Sequence, residues 1–216
     1  MGTISTTKLA GLSIIFGPII CLAAYFYQQL VIFADVEWTV AASWASLAAE
    51  NSTAVAITAI IIPIGIFMLV HGLQFVANEI RANGNGAALA AYSVPLIMFG
   101  WIGISLSCGI YIAGANFPEP ATQAAAAFLA ATGILNIVGV LQSLGFLFIF
   151  LAMSSRDDYN SMFAKVAALV AIVAFVVNII GLLNPDSAQT ISQIVGLTYL
   201  IHTIYAIYIG RLLLNR

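Results

Sequence analysis

Residues 82–118 read ANGNGAALAAYSVPLIMFGWIGISLSCGIYIAGANFP, with Arg81 before them and Glu119 after them. No Asp, Glu, Lys or Arg interrupts the run. A helix rises ~1.5 Å per residue and a hydrocarbon core is ~30 Å thick, so about 20 such residues cross a bilayer. The flanking charges also assign sides. Lys and Arg resist translocation, so Arg81 marks a cytoplasmic end and Glu119 the outer one.

Working outward, the same pattern recurs along the chain. The uncharged runs are 9–34, 51–78, 82–118, 120–155, 166–185 and 187–210. All basic residues fall on one side of them: Lys8, Arg81, Arg156, Lys165, Arg211 and Arg216. The opposite connections hold Asp35, Glu37, Glu50, Glu119 and Asp186, with no Lys or Arg. The reading is an all-α integral membrane protein, a bundle of six transmembrane helices with both termini cytoplasmic. It is expected in a prokaryotic cytoplasmic membrane, with spans near 9–34, 53–78, 87–114, 121–153, 163–184 and 188–212. Hydrophobic residues make up 62% of the 216 and charged residues 6%, against a usual charged share of about 25% in soluble domains. No stretch remains for a soluble domain, and no basic patch suggests nucleic acid.

The connections carry weaker signals. Within 36–50, Val40, Trp44 and Leu47 recur at helical spacing between Glu37 and Glu50, the pattern of a short helix in the outer interface. Asn83-Gly84-Asn85-Gly86 reads as a turn, Pro120 as the start of the fourth span, and Asn184-Pro185-Asp186-Ser187 as a turn and cap. Aligning the even spans places Gly65, Gly139 and Gly196 in one slot, and His71, Gly145 and His202 in another. Three helical hairpins descended from one unit would give that pattern.

Candidate functional residues are few. The spans bury no Asp, Glu, Lys or Arg, the usual marks of proton relays, ion coupling and voltage sensing. Cys21 and Cys108 fit no zinc or redox spacing. The neutral polar residues gather on the even spans: His71, Gln74 and Asn78; Thr132, Asn136 and Ser143; Thr198, His202 and Tyr205. Asn178 lies on the fifth.

Hydrogen bonding between helices accounts for such residues, and a ligand site built from Gln74, Asn136, Ser143 and Tyr205 is the sharper expectation. His71 lies ten residues before Arg81 and His202 nine before Arg211. Equal depth is what a b-type haem with two axial imidazoles would need. Gly65 and Gly196 do not share the histidine faces, and no cation in the spans waits for haem propionates. Ser143 and His202 differ in depth by ~6 Å, too far for a nucleophile–base pair.

Three functions follow as expectations. One is a non-enzymatic accessory or scaffold subunit of a larger membrane complex, holding lipid, pigment or a small ligand between its helices. Another is a haem b electron carrier through His71 and His202. The third is a passive carrier or binding subunit for a small neutral or apolar ligand.

Overall fold

The computed structural model describes residues 4–82, 84–116 and 121–216. Asn83, Glu119 and Pro120, read from the sequence as part of a turn, an outer anchor and a helix start, lie outside these. The described residues form α1 (Thr6–Tyr27), α2 (Ala41–Glu50), α3 (Ser52–Ala82), α4 (Ala87–Ala115), α5 (Ala121–Ser154), α6 (Ser161–Leu183) and α7 (Ala188–Leu214). All but α2 are long and apolar enough to cross a membrane, which makes this an all-α bundle of six candidate spans.

The starts and stops follow from local chemistry. Ser5 caps α1 by accepting from the Lys8 amide, and Asn160 caps α6 by accepting from the Phe163 amide. Gly84 and Gly86 sit at φ of 101° and 83°, a region that only glycine enters freely, and they turn α3 into α4. At its far end α1 widens into a π turn over Gln28–Ile32. Asn184 closes a short 3-10 turn over Pro185–Ser187, where the Ser187 amide and hydroxyl both donate to its carbonyl.

Six spans pack as a closed ring in the order α1, α3, α4, α5, α6, α7, with α7 returning to α1. Consecutive helices run antiparallel, so both termini lie at one end, the terminal side. That end carries Lys8, Arg81, Arg156, Lys165, Arg211 and Arg216, together with Glu79, Asp157 and Asp158. The far side carries Asp35, Glu37, Glu50 and Asp186 among the described residues.

Side chains fill the middle. Ile66, Val70, Leu73, Ile97, Phe146, Phe150, Met153, Tyr205, Ile209 and Leu213 meet in one buried cluster drawn from α3, α4, α5 and α7. Because lipid tails are as apolar as leucine, such helices gain their attraction from close packing, which small residues permit. A methyl added at Gly17 would sit 2.6 Å from the Gly65 carbonyl, and one at Gly65 equally close to the Gly17 carbonyl. Gly11 and Gly210 make the same reciprocal approach between α1 and α7. α1 is thus seated backbone to backbone on both neighbours.

α2 lies across the far ends of α4 and α5. Its buried residues are Ala45 and Ala48, packed in a cluster with Phe33, Ala115, Ala124 and Phe128. Trp44 lies between Phe33 and Trp38. Val40, expected on the apolar stripe, precedes the helix and is exposed. The helix begins later than the spacing suggested, and Trp44 and Leu47 pack beside the buried alanines.

Candidate functional site

The buried polar side chains were the candidates for chemistry, and half of those among the described residues join a hydrogen bond between helices. Gln28, in the turn that ends α1, donates to the Thr58 hydroxyl of α3 at 2.7 Å. The Trp101 indole of α4 donates to the Pro63 carbonyl of α3 at 2.9 Å. Ser107 of α4 donates to the Ala131 carbonyl of α5 at 3.2 Å. The Asn178 amide of α6 reaches the Ser143 hydroxyl of α5 at 3.4 Å. His202 Nε2 of α7 lies 3.1 Å from the Ala167 carbonyl of α6, and the Tyr25 and Ser192 hydroxyls join α1 to α7 at 2.9 Å. A side-chain hydrogen bond therefore crosses each junction of the ring.

Other hydroxyls turn back on their own helices. Ser93, Thr198 and Thr203 donate to carbonyls three or four residues earlier, which satisfies a hydroxyl in an apolar setting. Gln28 and Thr58 were missed by the sequence reading. Gln28 is a polar residue inside the first uncharged run, but nothing in its spacing pairs it with a position on another helix.

The sequence-selected residues separate. Ser143 is buried, donating to the Gly139 carbonyl at 2.7 Å while receiving Asn178. Tyr205 is buried, its hydroxyl 3.8 Å from the Met153 sulfur and its ring against Phe150 and Tyr208. Asn136 is half-buried. Gln74 is exposed, on the outward stripe of α3 that includes Ile57, Ile60, Ile64 and Phe67. Gln74 therefore shares no cavity with buried Ser143 and Tyr205.

His71 starts from that same side of α3 but is half-buried, with its Nε2 enclosed by the protein, whereas His202 is fully buried. The register of α3 explains the split. Gly65 and Gly72, a near-integral two turns apart, face α1, while Val70, Leu73, Ala77 and Ile80 face the core. His71 is left on the remaining face.

A haem does not fit these residues. The His202 ring is held between Phe146 and Phe150, with centroids at 5.4 and 5.1 Å, where a macrocycle would have to lie. Its Nε2 faces a carbonyl and must carry the proton, so only Nδ1, enclosed by the packed side chains, keeps a lone pair. The helices bearing the two imidazoles, α3 and α7, are not neighbours in the ring. Nor does His202 pair with Ser143, because each has other partners.

Two recesses open on the surface. One, of about 480 Å³ on the terminal side, is lined by Glu79, Ile80, Arg156, Asp158, Tyr159 and Arg216. Its charges pair with one another: Arg216 with Glu79 at 2.9 Å and Arg156 with Asp158 at 2.7 Å. Arg216 also lies over the Tyr159 ring. Burial first, then the Glu79 carboxylate, pushes the Tyr159 phenol up to about 12, with Arg216 opposing. The other recess, about 530 Å³, is an apolar outward groove between α4 and α5, with Phe99, Ile102 and Leu106 on one wall and Ala130, Gly133 and Ile137 on the other.

One polar surface stays unmatched. His71, Gln74 and Asn78 follow one another down the outer face of α3 toward Arg81, with Gln74 and Asn78 exposed. His71 Nε2 is buried without a hydrogen-bond partner among the described residues, as are Gln142 Oε1 and His202 Nδ1. No cluster of three or more potential metal ligands occurs among the described residues. Compared with family models, with curated proteins and with solved structures, the chain matches none.

Proposed function

We propose that this chain is a non-catalytic scaffold subunit of a larger membrane assembly, docking another transmembrane helix against the outer face of α3. The observation that carries the reading is the exposed polar pair Gln74 and Asn78 on that face, with half-buried His71 one turn before them. In hydrocarbon an amide or imidazole without a partner costs ~2 kcal/mol or more. A neighbouring helix bearing hydrogen-bonding side chains removes that cost, the usual adhesive between spans. The bonds across every ring junction support the same reading, since they commit the interior polar groups to holding the bundle together. The segregation of Lys and Arg to the terminal side favours placing that side in the cytoplasm, and a bacterial-type inner membrane suits the whole.

Photo-crosslinking in the native membrane tests this. A benzophenone amino acid at Gln74 should give one protein adduct of fixed mass, identifiable by mass spectrometry. The same probe at Leu169, on the outward face of α6, should give lipid adducts alone. Replacing His71 and Asn78 with leucine should weaken the Gln74 adduct severalfold. A Gln74 probe that captures only lipid would overturn the proposal.

A further inference from the structure

The terminal rim of α6, α7 and α1 has a charge imbalance that the ring itself does not resolve. Arg156 and Arg216 have carboxylate partners, but Lys8, Lys165 and Arg211 are exposed and form no salt bridge among the described residues. Packing brings Lys8 and Arg211 to one sector. The Phe163 ring of α6 meets the Tyr208 ring of α7 at 5.4 Å, and Lys165, two residues after Phe163, stands about 200° around α6 from that contact. Gly210, beside Arg211, touches Gly11, and Lys8 stands one turn before Gly11 on the face that Ile15 turns to α7.

Of the acids of this end, Glu79 is held by Arg216 and Asp158 by Arg156, and Asp157, in the connection between α5 and α6, forms no salt bridge among the described residues. Below the cations the surface is aliphatic, with Val166, Leu169, Leu200 and Ile204 all exposed. A cationic rim over an acyl-chain surface matches a phospholipid with a net negative headgroup.

We infer that Lys8 and Arg211 form a headgroup site for an anionic phospholipid of the leaflet on the terminal side, its chains lying along α7. A basic residue near a membrane surface contributes about 1 kcal/mol toward an anionic lipid, roughly a fivefold preference for each charge. A zwitterionic lipid, whose phosphate is already balanced, gains little.

Native mass spectrometry of the full chain, released from nanodiscs of equal phosphatidylglycerol and phosphatidylcholine, provides the test. The unaltered protein should retain phosphatidylglycerol preferentially. The K8Q/R211Q variant should lose roughly 25-fold of that preference, two factors of five, while R81Q, on α3 outside this sector, should keep it. K8R/R211K preserves charge and should also keep the preference, which separates loss of charge from loss of fold. Equal retention of both lipids by the unaltered protein, or an undiminished preference in K8Q/R211Q, would overturn the assignment. The readout is a lipid ratio and does not depend on whether a partner helix docks on α3.

Discussion

His202 and His71 show what a single residue's setting decides. At sequence level the two imidazoles are equivalent in type and depth, and both were candidate ligands. The fold gives His202 a carbonyl and two phenyl rings, while His71 is half-buried with its Nε2 enclosed and unpartnered among the described residues. Depth along a helix is legible from spacing to an anchoring arginine; azimuth is not, because the stripe of His71, Gln74 and Asn78 on α3 could equally turn toward the bundle interior or away from it.

Tyr159 gives the residue scale its test. Its phenol is buried at the terminal rim beside Glu79 and Arg216. Below the ordinary value of 10 it is protonated in folded and unfolded chain alike, and its contribution is intact. As pH climbs from 10 toward 12 the unfolded chain ionises first, so stability falls through that window. Thermal melts of the detergent-solubilised protein should show a smaller alkaline loss in Tyr159→Phe than in the unaltered chain. Identical losses would contradict this account of the rim.

At the scale of the element, glycine position separates seats from open surface. Adding a methyl at Gly17 or Gly65 drives it to 2.6 Å from a backbone carbonyl on the facing helix, and backbone cannot swing aside. Gly17→Ala and Gly65→Ala should each destabilise by about 1–3 kcal/mol. Gly109 has nothing within 4 Å of an added methyl. Gly109→Ala should be neutral or stabilise by up to ~1 kcal/mol, as expected for alanine over glycine in a helix. Equal effects at all three positions in melting experiments would remove the packing argument.

The existence and rough limits of the spans were legible, since a run without charge is a local property of sequence. The expected hairpin repeat is instructive in a different way. A methyl at Gly145 would lie 3.0 Å from the Ser93 carbonyl, and His202 lies 3.1 Å from that of Ala167. Ser93 and Ala167 are each six residues beyond the start of their helices. Hairpins α4–α5 and α6–α7 thus share a register at this slot. In the first hairpin Gly72, rather than His71, approaches α1, at Ala10. That one-residue offset is what moves the histidine outward, and even-span alignment could not reveal it.

On the scale of the whole molecule, a ring of six antiparallel spans has one consequence that local packing cannot supply: its connections must alternate sides. The charge pattern implied alternation before any helix was placed, and the closure of α7 onto α1 accords with it. The functional reading rests on the same architecture, because a filled interior and an outward polar stripe leave the surface as the place of action. Alternation can be measured directly with a membrane-impermeant maleimide on intact cells, using single cysteines in a Cys21→Ala, Cys108→Ala background. The account predicts that cysteines at Glu50 and Asp186 react from outside, whereas those at Arg81 and Arg156 react only after the membrane is permeabilised. Labelling of both sets from the same side would contradict it.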